Sequence, residues 1–178
     1  MIRRPGLGLI ASLTLLLGSA SSATQLAPLS DAQLVEQSSL IVIGRCTEMR
    51  SAWVDRRLMT LATIAVREVI KGEPHTQVTV VIPGGIDVQR PIPVAAVVTG
   101  TPELAQGEEV VLFLSPRTNA PDGYAVTGWA QGKFSIRTDA ANGEVVAADG
   151  GRPATGPLPL ARFRARIVER VKSSPAHP

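Results

Sequence analysis

The sequence predicts a mainly β fold, either a small antiparallel β-barrel or a strongly curved sheet, with a short N-terminal helix and a C-terminal amphipathic helix. Three observations predict it. Branched apolar residues alternate with polar ones at the period of a strand over much of residues 40–148. Asn142-Gly143 separates two such runs, as a hairpin turn does. Apolar residues recur at helical spacing only near the two ends of the chain that follows the export signal described below.

The N-terminal helix is predicted to begin after Ser30. Ser30 and Gln33 have the spacing of a capping box, and Leu29 and Leu34 have that of a hydrophobic staple. Leu34 and Val35 are then expected to face the core from a helix of about two turns.

The strand segments differ in how many of their faces are apolar. Segments 60–72 and 77–85 alternate, which predicts one buried face each. Segment 108–116 is apolar on both faces, which predicts a strand covered on both sides. The residues predicted to face inward from the first two segments are Ala62, Ile64, Val66, Ile70, Val78, Val80 and Ile82.

A long connection is predicted from Gly84 to Gly107, with one short strand within residues 94–98. Long loops on a compact domain often carry binding residues, but loop length alone also fits a tolerated insertion. Both interpretations stay open.

The C-terminal helix is predicted to be amphipathic. Leu160, Phe163, Ile167 and Val171 form one stripe, and arginines occupy the opposite side. We expect this stripe to dock on the sheet rather than to lie on an anionic membrane, because such stripes are routine in surface helices.

The first 23 residues have the order of a secretory signal. Arg3 and Arg4 precede an apolar run over residues 7–17, and small residues follow it up to Ala23. The run is too short for a membrane anchor, so we expect cleavage and export to the periplasm or the medium. The predicted domain organisation is a signal peptide (1–23), a β-barrel domain with its helix (24–151), a Gly/Pro linker (152–157), a docked helix (158–172) and a disordered tail (173–178).

Charge argues against a nucleic-acid partner. Arg3 and Arg4 leave with the signal, so 16 basic residues face 15 acidic ones in the mature chain. A nucleic-acid-binding domain needs a concentrated basic face. No segment after the signal is long enough to span a membrane.

Few residues indicate catalysis. Cys46, the single cysteine, shares its strand face with apolar residues, so we expect a buried filler rather than a nucleophile or an intermolecular thiol. His75 lies in a turn without a second histidine or cysteine at ligand spacing, so no metal or cofactor is predicted. Glu108 and Glu109 are adjacent in a strand, where side chains point to opposite faces.

Five residues are candidates for a contact surface. Trp53 and Trp129 are the largest apolar groups and can form a ligand platform, although each could equally close one end of the core. The candidates are Trp53, Arg90, Trp129, Gln131 and Lys133.

The order of the motifs SSLIVIGRCTEMRSAW, TLATIAVREVIKG, VTVVIPGG, GEEVVLFLSP and GWAQGKF resembles a group of uncharacterised exported bacterial β-domain proteins. More distantly, it is similar to the netrin-like module of tissue metalloproteinase inhibitors, which implies an OB-like fold. The N-terminal cysteines with which those inhibitors present their metal-binding residue are absent here. No inhibitory residue is therefore carried over. Cys46 stands where the bacterial pattern has valine, which agrees with a filler.

Three functions follow as hypotheses. The leading one is an exported, non-catalytic binding module whose partner is a protein or glycan of the cell envelope or medium. The second, which the resemblance alone suggests, is an inhibitor of an extracytoplasmic protease or hydrolase. The third is a thiol-dependent enzyme that uses Cys46.

Overall fold

A computed structural model describes residues 27–117, 120–149 and 156–174 of the 178-residue chain. The described residues form ten strands, two α-helices and a 3₁₀ turn over Trp129–Gly132. The elements are α1 (Asp31–Gln37), β1 (Leu40–Val54), β2 (Arg57–Lys71), β3 (Gln77–Pro83), β4 (Gly85–Asp87), β5 (Val94–Ala96), β6 (Glu109–Arg117), β7 (Ala120–Val126), β8 (Lys133–Asp139), β9 (Gly143–Ala148), β10 (Leu158–Pro159) and α2 (Leu160–Ser173). The predicted mainly β fold with two helices is confirmed.

Eight strands form one sheet in the order β1-β2-β3-β7-β6-β8-β9-β10, and β1 also pairs with β6. The strands β4 and β5 pair separately as a small hairpin. Within the described ranges, all strand pairings are antiparallel except that of β3 with β7, so the expectation of a purely antiparallel sheet is wrong in that one place.

The sheet is not a closed barrel, so of the two predicted forms, a barrel or a curved sheet, the barrel is wrong. Strands β1, β2, β3, β7 and β6 pair in a ring, but β3 and β7 share only two residue pairs. Strand β6 divides one edge between two neighbours, because residues 109–112 pair with β8 and residues 114–117 pair with β7. Beyond the ring, the sheet therefore extends from β6 through β8 and β9 to β10.

Two apolar clusters cover opposite faces of β1 and β6. Val42 and Cys46 of β1 face one cluster, and Ile41 and Ile43 face the other, which packs against both helices. Strand β6 is divided in the same way, which confirms the prediction of a strand covered on both sides.

The inward face predicted for β2 and β3 is largely confirmed. Every predicted residue except Ile70 belongs to or packs against the cluster inside the curved sheet. Ile70 packs against the helix-facing cluster instead. The register of β1 and β2 shifts between Ile43 and Gly44, and such an irregularity moves later side chains to the other face.

Both helices pack where the sequence predicts. Helix α1 has the predicted capping box between Ser30 and Gln33. Helix α2 buries Leu160, Phe163 and Ile167 against the sheet and α1. The apolar stripe is thus covered by the protein itself, and no helix within the described ranges is long and apolar enough to cross a membrane.

The Asn142-Gly143 hairpin joins β8 to β9, and Oδ1 of Asp139 accepts hydrogen bonds from the turn. The long connection contains β5 at the predicted place. The predicted signal peptide lies outside the described residues, as do residues 152–155 of the linker and 175–178 of the tail.

Candidate functional site

An open groove of about 1060 Å³ lies between the loop of residues 100–108 and strand β8. The loop contributes Thr101, Leu104 and Glu108 to its lining, and the 3₁₀ turn contributes Trp129. The volume lies just above the range of about 300–1,000 Å³ that small-molecule sites occupy. Size and concavity make this the first place to look for ligand binding.

The backbone presents Trp129 at the groove. Gly128 and Trp129 both have left-handed φ angles, 65° and 61°. A bulky residue with positive φ is a backbone outlier. Trp129 is 44% exposed, although tryptophan is a large apolar residue that is usually mostly buried. Ala130 N donates to Gly100 O at 3.2 Å, which fixes the turn against the loop on the other side of the groove.

Four polar side chains, the Lys133 cluster, form part of the groove lining: Glu108, Lys133, Ser135 and Asp149. Lys133 is 4% exposed, and its Nζ lies 2.6 Å from Glu108 Oε1, 2.9 Å from Asp149 Oδ2 and 3.1 Å from Ser135 Oγ. Ser135 is equally buried and also contacts Glu108 Oε1, at 2.6 Å, and Asp149 Oδ2. A buried lysine is thus fully surrounded by acceptors.

Alternation on strand β8 creates this arrangement. Phe134 and Ile136 face the helix-packed core, so Lys133 and Ser135 face the other way, into the groove. Glu108 arrives from the chain just before β6, which pairs with β8 along residues 109–112. The cluster therefore depends on strand pairing between segments distant in sequence.

The Glu108 carboxylate is held in its charged form. Burial is the largest single influence and by itself raises the pKa of Glu108, but hydrogen bonds from Lys133, Ser135 and the Ala105 N–H, together with the charge of Lys133, outweigh it. The pKa of Glu108 therefore lies below its ordinary value of 4.5.

Gln131 positions another part of the chain. Its Oε1 accepts from Leu29 N at 2.6 Å, and its Nε2 donates to Ala27 O at 3.2 Å. Gln131 is 4% exposed, so its contacts fasten the segment before α1 to the 3₁₀ turn. Among the predicted contact residues it acts as support for the groove.

Trp53 and Arg90 form a second group with Asp87 of β4. Trp53 Nε1 donates to Asp87 Oδ2 at 2.7 Å, and Arg90 Nε lies 3.1 Å from the same oxygen. The Arg90 guanidinium also stacks over the Trp53 ring at 4.5 Å. The indole hydrogen bond, followed by further hydrogen bonds and the Arg90 charge, lowers the pKa of Asp87. These contacts attach the β4–β5 hairpin to the end of β1.

The five predicted contact residues thus fall into two groups. Trp129, Gln131 and Lys133 meet at the groove, whereas Trp53 and Arg90 belong to the group with Asp87. Sequence reasoning missed Glu108, Ser135 and Asp149 as partners of Lys133. The only local sign was the polar pair Lys133 and Ser135 on one face of a strand whose other face is apolar.

The remaining candidates, Cys46, His75 and Glu109, are not part of the groove lining. Cys46 is completely buried, as expected of a filler, and burial, followed by the charge of Glu108, raises the pKa of its thiol. His75 lies beside Tyr124, with Nε2 and the phenol oxygen 3.4 Å apart. Glu109 points away from Glu108 and pairs with Arg45. Within the described residues, no group of three or more potential ligands could hold a metal ion.

Comparisons with family models and with curated proteins do not assign the chain to a family. No protein-family model matches the chain, and no curated protein matches it.

Proposed function

We propose that the protein is an exported, non-catalytic binding module that takes its ligand in the groove between the 100–108 loop and β8. One observation carries the proposal: a half-exposed tryptophan with a strained backbone and a buried, ion-paired lysine line the same open groove.

Burying the Lys133 cluster is energetically unfavourable compared with burying apolar residues in its place. Removing a lysine and two carboxylates from water carries a desolvation cost that apolar residues of similar size avoid. Such clusters within a cleft often mark functional sites, although ion pairs also occur for structural reasons. Its position in the lining of a groove, rather than in either apolar core, supports a role in recognition.

Trp129 supports the same conclusion independently. Residues with strained backbones concentrate at ligand-binding positions, where surrounding structure holds them in place. Tryptophan offers a large, rigid surface for a ligand at a small cost in side-chain entropy. Its exposure at the groove, rather than burial in a core, agrees with this use.

The contacts favour binding over hydrolysis. Ser135 Oγ lies 3.1 Å from Lys133 Nζ, a geometry that a serine–lysine catalytic pair also needs. Lys133 Nζ also contacts two carboxylates, however, Glu108 at 2.6 Å and Asp149 at 2.9 Å, and this ion-paired arrangement suits a binding lysine better than the base of a catalytic pair. The buried Cys46 thiol offers no accessible nucleophile either.

The proposal includes an OB-like core and export. The ring of pairings β1-β2-β3-β7-β6, with its parallel β3–β7 step, supports the OB-like part. The order of charged, apolar and small residues over 1–23 supports export. N-terminal sequencing of protein recovered from a bacterial envelope fraction tests export, with a start at Thr24 as the expected result.

A ligand screen tests the groove. We would record ¹H–¹⁵N spectra of the mature chain with sugars, short peptides, dicarboxylates and diamines. We expect at least one class to shift the Trp129 indole signal together with the amides of Lys133 and Ser135. Trp129→Ala should abolish the shifts of the Lys133 and Ser135 amides, whereas the control Trp53→Ala should keep them. A screen in which every shift lies outside the groove, or none occurs, would contradict the proposal.

A further inference from the structure

We infer that the ligand of the groove presents an organic cation, an alkylammonium group, to the Lys133 cluster and the Trp129 ring; this rests on the proposed function. The inference follows from counting the protons of the cluster, from the charges that line the groove and from the exposed aromatic face.

The Lys133 cluster has no proton left to donate. The Lys133 ammonium carries three N–H groups and the Ser135 hydroxyl one O–H, so the two side chains supply four protons. Five contacts compete for them: Lys133 with Glu108, Asp149 and Ser135, and Ser135 with Glu108 and Asp149. A ligand that needs donors, such as a carboxylate or phosphate, therefore finds none in the cluster.

The same cluster keeps unused acceptors. Within the part of the chain that the structure describes, Oδ1 of Asp149 has no hydrogen-bond partner, while Oδ2 contacts Lys133 and Ser135. The Asp149 side chain is 25% exposed and forms part of the groove lining. Among the described residues, Glu108 Oε2 accepts a hydrogen bond only from Ala105 N and retains a second lone pair. The cluster is thus suited to a ligand that is rich in donors.

The charges of the groove favour a cation. Among the described residues, five ionisable side chains line it, and the acidic ones outnumber the basic ones: Glu103, Glu108 and Asp149 against Lys133 and Arg137. Arg137 is exposed on β8, and Lys133 is already neutralised by its two contacts. A cationic ligand that approaches Asp149 and Glu108 therefore enters a region of excess negative charge.

Trp129 adds an attraction of the same sign. The face of an indole ring attracts cations, and tryptophan is the best aromatic side chain for this contact. This protein already uses that chemistry elsewhere, where Arg90 stacks over Trp53 at 4.5 Å. Excess acceptors, excess negative charge and an exposed indole therefore select the same ligand class.

Three probes of equal chain length test the inference. Trp53→Phe leaves Trp129 as the only tryptophan, and its fluorescence is followed during titration with 1,5-diaminopentane, 1,5-pentanediol or glutarate. We expect the diamine alone to bind. Added salt should weaken the binding, because it screens charges.

Variants locate the effect. Asp149→Asn removes one charged acceptor, and the loss of a charge-assisted hydrogen bond should weaken diamine binding by roughly 10-fold. Glu169→Gln, on the exposed side of α2, should leave the affinity unchanged. Should Asp149→Asn fail to fold, Glu103→Gln on the loop provides a second variant, for which we expect a weakening of about 2-fold from a more distant charge.

The outcomes separate the two proposals. If the diol or glutarate shifts Trp129 emission and the diamine does not, the cation inference is wrong while binding in the groove stands. If none of the probes shifts it, the cation inference is also wrong, and the spectral screen above decides the proposed function. Diamine binding that Asp149→Asn and Glu103→Gln leave unchanged would likewise contradict the inference.

Discussion

Lys133 Nζ lies 2.6 Å from Glu108 Oε1, and this contact joins the two sides of the groove. Lys133 begins β8, whereas Glu108 ends the loop that precedes β6. The two residues are 25 positions apart in sequence, and the pairing of β6 with β8 brings them together. A change at this contact is therefore expected to affect both the stability of the fold and the shape of the groove.

Replacing Lys133 should destabilise the protein strongly. Lys133→Met leaves the Glu108 and Asp149 carboxylates close together without a cation. We expect a loss of about 3 kcal/mol in the free energy of unfolding, at the lower end of the range for broken buried pairs, since both carboxylates keep some contact with water. Urea denaturation measures it. Lys172→Met, on the exposed side of α2, is the control. A loss as small as that of the control would mean that the cluster contributes no net stability.

Acid should weaken the Lys133 cluster through Glu108. The pKa of Glu108 in the folded protein lies below its ordinary value of 4.5. The ionised carboxylate therefore contributes its full stabilisation above pH 4.5. The effect is lost as the pH falls through the folded pKa. We expect Glu108→Gln to be less stable than the wild type at neutral pH, and the difference to shrink as the pH falls below 4.5 and through the folded pKa.

Urea midpoints at several pH values provide the measurement for Glu108. Glu169→Gln serves as the control, because Glu169 is exposed on α2 and lies outside the Lys133 cluster. A stability difference between Glu108→Gln and the wild type that stays constant with pH would refute the assignment.

Cys46 should be almost inert in the folded protein. Its thiol is buried, and burial and the charge of Glu108 raise its pKa above the ordinary 9.0. Because the thiolate is the reactive form, we expect labelling at neutral pH to be at least about 100-fold slower in the folded protein than in urea. A thiol-reactive dye measures both rates. Rapid labelling without urea would reopen the hypothesis of a thiol enzyme.

Gly44 should tolerate no side chain. A Cβ atom there would lie 2.5 Å from the carbonyl oxygen of Ala65 and 2.8 Å from Cγ2 of Ile64. Gly44→Ala should therefore reduce the free energy of unfolding by about 2 kcal/mol, as overpacking does. Gly156→Ala is the control, because no non-adjacent atom of the described residues lies within 4 Å of its Cβ position. Equal urea midpoints for the two variants would show that β1 and β2 separate easily.

Local features of the fold could be predicted because short-range chemistry determines them. The capping box needs only Ser30 and Gln33, and the turn at Gly143 needs only a residue that accepts positive φ. The stripe of α2 is visible because helical spacing places Leu160, Phe163 and Ile167 on one face. In each case the residues that decide the structure lie within a few positions of each other.

Features that depend on strand partners could not be predicted in the same way. The alternation of a strand does not say which strand lies beside it, so the division of one β6 edge between β7 and β8 was invisible. The shift of Ile70 to the other cluster has the same origin, because register irregularities are set by the paired strand.

The amino-acid order by itself therefore determined the mainly β character, the two helices, the Asn142-Gly143 hairpin and an apolar environment for Cys46. Only the tertiary structure decided that the sheet stays open and that Lys133 meets Glu108, Ser135 and Asp149 beside Trp129. The physical reason is the sequence separation between the residues that interact. Capping, turns and hydrophobic periodicity act between neighbours, whereas a buried charge can be satisfied only by partners that strand pairing brings from elsewhere in the chain.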